Sequence, residues 1–169
     1  MDFDKVLETR VSSRKFLDEK LTNEEIEKLI DAAKKSPIGH GAYDSVHLTV
    51  IRDKTLIEEM SKEYNELKNN ESDFLFGAST FIMFSSNRDS TVEYEDAGCV
   101  IQNMSLKAAE MGLGSCYIRG LVHTLGPNAN YVKKLNLPEG FRPISGLVVG
   151  KVDYDLVGKN HSMEVTYIE

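Results

Sequence analysis

DAGCVIQNMSLKAAEMGLGSCYI, Asp96 to Ile118, is the stretch on which the fold turns. Ala97, Cys99, Val100, Ile101, Met104, Leu106, Ala108 and Ala109 make its first part apolar on most faces. With the residues just before it, this predicts a long helix from about Glu93 to Met111. A helix apolar nearly all round belongs in the centre of a fold or at a subunit interface. Cys99 reads as one of its small core residues. Gly112 is a natural stop, because glycine adopts the left-handed conformation without steric penalty. SCYI (Ser115–Ile118) then reads as a short strand. Gly112 and Gly114 form a GxG, but it follows a helix and lacks the third glycine of a dinucleotide-binding turn.

Elements on either side mix helices and strands. Residues 2–9 predict a short helix with Phe3, Val6 and Leu7 inward. Thr22 and Glu25 form a capping-box pattern, and Ile26, Leu29, Ile30 and Ala33 follow at helical spacing. Pro37 ends that helix, since the residue before a proline is pushed out of the α region. IGHGAYDS (Ile38–Ser45) is a loop. VHLTVI (Val46–Ile51) alternates and is β-branched, which predicts a strand. Thr55 and Glu58 repeat the capping box. Leu56, Met60, Tyr64 and Leu67 line the helix after it, which Asn69 and Asn70 end. STFIMFSS (Ser79–Ser86) reads as a buried strand, Asn130–Leu135 as a small helix, and GLVVGKV (Gly146–Val152) as a strand. EVTYI (Glu164–Ile168) is a candidate fifth. The order predicts an α+β or α/β fold with helices around a mixed sheet.

The chain has 169 residues, enough for one domain with its own core. Hydrophobic residues are 41% and charged residues 28%, an ordinary soluble balance. The net charge of −7 gives nucleic acid no overall attraction. No apolar run is long enough for a membrane span, and the segment MDFDKVLETR is acidic and lacks the apolar stretch expected of a signal peptide. A cytoplasmic setting is the expectation. Cys99 and Cys116 are too few for a disulfide framework and have no zinc spacing. His40, His47, His123 and His161 show no metal-ligand pattern, so no metal site is expected.

One segment stands out chemically. RVSSRKF (Arg10–Phe16) sets Arg10, Ser12, Ser13, Arg14 and Lys15 between two helices. Guanidinium forks and hydroxyls suit a phosphate dianion, and a solvated basic loop is the alternative. His40 lies in a glycine-flanked loop, where function concentrates. No GxSxG elbow is present, and nothing beside Cys116 in sequence lowers a thiol pKa. Absent acid–base machinery fits a protein whose cofactor supplies the chemistry, and no catalytic side chain is named.

In order along the chain, these segments resemble the FMN-dependent nitroreductase family. RVSSRKF is similar to its R-x-S-x-R-x-F phosphate motif. LTNEEIEKLIDAAKKSPIG is similar to its second helix and following loop, and FLFGASTFIMF to a strand entry. The opening stretch is similar to D-x-G-x-x-x-Q-N-x-x-L-x-A-x-x-x-G-L-G, and ISGLVVGKV to the strand before its C-terminal tail. The resemblance runs from Arg10 to about Lys151.

It implies a nitroreductase-like α+β fold, with a central mixed, mainly antiparallel sheet flanked by helices. The whole chain, 1–169, forms one FMN-binding domain. It pairs as an intertwined homodimer, with the long helix against its mate and the tail from about residue 153 to 169 reaching the partner. By motif position, Arg10, Val11, Ser12 and Arg14 contact FMN. Arg10 and Ser12 serve the phosphate and ribityl side, and Arg14 lies nearer the pyrimidine edge. Pro37, Ile38, Gly39, His40 and Gly41 of the other subunit close over the ring. Ile118, Arg119 and Gly120 bring backbone N–H groups to the N5 and O4 edge. Lys159 and His161 stand where the family often has two basic residues for the phosphate. A histidine stands there in place of the family's arginine.

The implied activity is hydride transfer from NADH or NADPH, through flavin N5, to a small electron-poor acceptor of nitroaromatic or quinone type, by a ping-pong route. Two other readings attach to the same resemblance: an FMN-binding dimer without rapid turnover, serving storage, sensing or structure, and a reductive dehalogenase. Two departures are visible. The family loop S-x-x-N-x-Q-P-W is replaced by IGHGAYDS after Pro37. Between Val50 and Phe74 there is little sequence for the helical insertion of longer members, so the pocket is open or Glu63–Asn70 makes a small lid. Asn65 or Asn70 is the candidate for a family flavin-contacting asparagine.

Overall fold

The structure is a computed structural model and describes residues 2–169. The helix read from the opening stretch is α4 (Val92–Glu110), and it organises the rest. It packs on one face of a four-stranded sheet formed by β1 (Val46–Ile51), β2 (Thr80–Ser86), β3 (Gly114–Ile118) and β4 (Arg142–Gly150), in the order β1-β2-β4-β3. All three strand pairs are antiparallel. The parallel pairing expected of a mixed sheet is confined to a bridge between Ser12 and Ser115.

Two cores lie on opposite faces of that sheet. On one, α2 (Asn23–Lys34) and α4 bury Leu29, Ile101, Met104 and Ala108 against Ile82, Phe84 and Leu147. On the other, α3 (Lys54–Lys68) and α5 (Gly120–Leu125) cover Phe81, Met83, Val148 and Cys116 with Met60, Leu121 and Val122. Side chains alternate across a strand, so Phe81 and Met83 face one core while Ile82 and Phe84 face the other. β2 is buried along its whole length, which explains a continuous apolar run with no polar alternation.

Local chemistry explains several boundaries. Thr22 and Glu25 form the expected reciprocal capping box at the start of α2. Thr22→Ala is expected to cost about 1 kcal/mol, read as a lower urea midpoint with an unchanged slope. Asn69 ends α3 in the left-handed conformation, with φ 51°. The second capping box is corrected: Asp53 caps α3 by accepting from the Thr55 and Leu56 N–H groups. The helix thus starts two residues before Thr55, with the Ile57 N–H already bonded to Asp53 O. α5 carried no recognised signal, and residues Asn130–Lys134 wind as a 3-10 helix rather than an α-helix.

Further corrections share one cause. In α1 (Phe3–Thr9), Val6 is buried, but Phe3 and Leu7 are 64% and 48% exposed. Leu67 on α3 is exposed, and so is Cys99 on the outer face of α4. Residues Glu164–Ile168 form no strand, and Val165, Tyr167 and Ile168 lie open to solvent. Periodicity marks an apolar face; it does not say what covers it. Among the described residues, no helix is long and apolar enough to cross a membrane.

Candidate functional site

The RVSSRKF segment is fixed to the sheet. The Ser13 N–H donates to Ser115 O at 2.8 Å, the Leu17 N–H donates to Lys151 O at 2.8 Å, and the Phe16 ring packs on Gly150. A glycine at 114 permits this approach, since a Cβ there would lie 2.8 Å from Ser13 Oγ. The segment is therefore a built platform on the free edge of β3, not a mobile basic loop. The Ser12–Ser115 bridge is parallel. Beyond it the chain turns to Gly150 and Lys151, at the Gly114 end of β3.

Above the platform lies a groove of about 1080 Å³. Arg10, Val11, Ser12 and Arg14 line it, and so do Lys159 and His161 from the tail. Six of the sequence-predicted residues therefore meet in one place, although almost 150 positions separate Arg10 from Lys159. In a chain of net charge −7, this groove gathers Lys5, Arg10, Arg14 and Lys159 around a single carboxylate, Glu8. Lys5 already pairs with Glu8 at 3.3 Å. Several cations and a hydroxyl in an open groove of this size fit a phosphate-bearing cofactor.

The other predicted residues lie elsewhere in the chain. Ile118 is buried at the end of β3, while Arg119 and Gly120 are exposed where the chain enters α5. The Arg119 guanidinium sits 5.6 Å from the centroid of the Tyr94 ring, on the first turn of α4. The Pro37–Gly41 segment does not line the groove. It packs at the same end of α4, where Asp96 Oδ1 accepts from the Gly39 N–H at 2.7 Å. Arg88 donates to Gly39 O at 3.0 Å and pairs with Asp96 at 3.3 Å. Both peptide groups of Gly39 are thus held. His40 follows at φ 59°, exposed, in a conformation uncommon outside glycine. Asn103 of α4 completes the support, donating to Ser36 Oγ at 2.8 Å just before Pro37.

Asn65 and Asn70 do not face the groove. Asn65 donates to Ser72 O, and Asn70 Oδ1 accepts from the Glu71 and Ser72 N–H groups, which closes the turn after α3. Residues 63–68 belong to α3 and make no separate lid. His47 is half-buried against Phe141. Among the described residues, no cluster of three or more His, Cys, Asp or Glu could hold a metal.

Cys116 is buried beneath the platform. Burial raises its thiol pKa, against the opposing influence of Arg14, Ser12 and Arg10. At pH 8 its alkylation is expected to be at least ~10-fold slower in the native protein than in urea, followed by mass spectrometry. Equal rates would contradict the buried placement.

Sequence reasoning missed Lys5, Glu8, Gly158 and Asn160 in or beside the groove. It also missed the Arg88–Asp96 bracket. Asp96 carried a usable signal: a carboxylate in a helix apolar on most faces needs a buried partner.

The family model described as the nitroreductase family matches residues 7–151. A curated relative, the FMN reductase (NADPH) of Bacillus subtilis strain 168, is 27% identical over 155 residues, covering 82% of this chain. The chain spans about three-fifths of that relative, 61% of its length. A nitroreductase with bound FMN from Bacteroides fragilis superposes with a TM-score of 0.85 at 19% identity, over 100% of both chains. An FMN-dependent nitroreductase from Clostridium difficile R20291 gives 0.81 at 25% identity, over 98% of both.

Proposed function

The chain belongs to the nitroreductase family, and from that premise we propose that it is an NAD(P)H-dependent flavin oxidoreductase that holds FMN in the groove above the Arg10–Phe16 platform. The observation that carries this reading is the convergence of Arg10, Ser12, Arg14, Lys159 and His161 on one groove. FMN held there would supply hydride transfer, with NADH or NADPH as donor and a small electron-poor nitroaromatic or quinone as acceptor, by a ping-pong route.

The chain's own residues bind and orient. Arg10 and Ser12 hold the phosphate and ribityl side, with Lys159 and His161 from the tail. Arg14, which also lines the groove, would set a positive field at the pyrimidine edge, where reduction adds negative charge. Backbone N–H groups of Ile118, Arg119 and Gly120 would serve the N5 and O4 edge. The Pro37–Gly41 segment of a second copy covers the ring, and its backbone is held ready by Asp96 and Arg88.

The homodimer belongs to this proposal. The exposed side chains of Phe3, Leu7, Met163, Val165, Tyr167 and Ile168 are apolar surface that a second copy would cover. The chain is one domain whose tail, from about residue 153, reaches its partner. It works in the cytoplasm on small molecules, without nucleic acid or membrane.

The test is a turnover panel on FMN-loaded protein, with NADH or NADPH as donor and quinones, nitroaromatics and free flavin as acceptors. Oxidation of donor that depends on one of these acceptors is expected. No reduction of any of them would sink the enzyme reading, and a chain that still held FMN would then be a silent binder. Substrate-dependent halide release would point to dehalogenation instead.

A further inference from the structure

The tail is tied to the N-terminal segment at three points, in reverse order along the two stretches. The Leu17 N–H donates to Lys151 O, the Tyr154 O–H donates to Lys15 O at 3.2 Å, and the Gly158 N–H donates to Glu8 O at 2.8 Å. Residues 151–158 therefore run antiparallel to residues 8–17 as a strap without helix or strand of its own. The last tie falls in the final turn of α1, where helix carbonyls lack intrahelical partners. Gly158 satisfies one of them. A Cβ on Gly158 would lie 2.1 Å from that oxygen and 3.1 Å from the Glu8 carbonyl carbon, so no L side chain fits while the bond stands.

Lys159, Asn160 and His161 come immediately after this tie and form one wall of the groove. Among the described residues, Gly158 is the last of the tail with a backbone hydrogen bond to the body of the fold. Lys159 and His161 are themselves exposed. Their position over the groove therefore depends on where Gly158 is held.

We propose that Gly158 is a positioning residue: its bond to Glu8 O sets Lys159 and His161 at the height of the phosphate, and so makes the groove select FMN over unphosphorylated riboflavin. The proposal rests on the FMN reading above. The physical reason is pre-organisation. Each backbone residue that a ligand must itself order lowers affinity roughly tenfold, and the latch orders this one beforehand.

The test uses the full-length chain and titrates FMN and riboflavin separately by flavin fluorescence. Gly158→Ala is expected to weaken FMN about 10-fold and to change riboflavin less than about 2-fold. In a Lys159→Ala, His161→Ala background, adding Gly158→Ala should change FMN affinity less than about 2-fold, because the interaction it serves is already gone. One glycine inserted between Gly158 and Lys159 leaves the latch and the fold intact but displaces both side chains, and should weaken FMN alone to a similar degree. Equal losses for both flavins would show a general structural role and overturn the proposal. Losses that multiply in the combined variant, or an insertion without effect, would overturn it too. In each of those cases the wild type still binds FMN, so the latch fails alone. A wild type with no affinity for either flavin overturns the FMN reading and the latch with it.

Discussion

Arg10→Glu is expected to raise the FMN dissociation constant by about 10²–10³-fold while leaving the fold intact. Removing charge-assisted hydrogen bonds to a phosphate costs about 1.5–3 kcal/mol. The new carboxylate then faces the phosphate at a partly exposed site, which adds about 1–2 kcal/mol of repulsion. Together these correspond to that range at about 1.4 kcal/mol per tenfold. Arg10 is half-buried at the edge of the platform, and the contacts that fix the platform come from Ser13, Phe16 and Leu17. The loss should therefore appear in binding and not in the melting curve. Fluorescence titration with FMN and with riboflavin reads it, and riboflavin should be nearly unaffected. A loss of less than about tenfold would remove Arg10 from the phosphate site.

Arg142→Leu is expected to destabilise the fold by about 3–5 kcal/mol, the cost of leaving a buried charge without its partner. Glu93 is 1% exposed in the first turn of α4 and is paired with Arg142 at the start of β4. Arg142 also donates to the backbone carbonyls of Ser86 and Arg88, so it ties the end of β2 to the start of the central helix. Adding Glu93→Gln should restore much of the loss, because no buried charge is then left unpaired. Urea unfolding of the wild type, both single variants and the double variant measures the coupling. Strict additivity would show that the pair does not interact.

The fold was legible where its signals are local. The Thr22–Glu25 box and the period of Ile26, Leu29 and Ala33 lie within one helix, and the apolar run of β2 needed only a two-sided core. Failures came where an apolar pattern is completed by something outside the segment. Phe3, Leu7, Cys99 and Glu164–Ile168 read as inward or paired, yet they are exposed or unpaired in the chain itself. Under the proposed dimer a second copy would cover such surface. Asp53 displaced Thr55 as a cap for a different reason: the helix starts two residues earlier, with Asp53 taking the Thr55 and Leu56 N–H groups on its carboxylate and the Ile57 N–H on its carbonyl.

The candidate site divides in the same way. Arg10, Ser12 and Arg14 sit within five positions of one another, so their chemistry could be read directly. Lys159 and His161 came only from the family resemblance, and the fold brings them to the same groove. Lys5, Glu8 and Gly158 gave no sign in the sequence, since their roles follow from the tail folding back along residues 8–17. Asp96 and Arg88 act on Gly39, far away in sequence, and only tertiary contact reveals the bracket.

The central claim is that this chain holds FMN. Its most direct test is the visible absorption spectrum of purified protein after incubation with FMN and removal of free ligand by desalting. Retained flavin absorption at about one flavin per chain is expected, bleached when NADH or NADPH is added without air. A colourless protein would contradict it, and would leave the convergence of Arg10, Arg14, Lys159 and His161 without a cofactor to explain it.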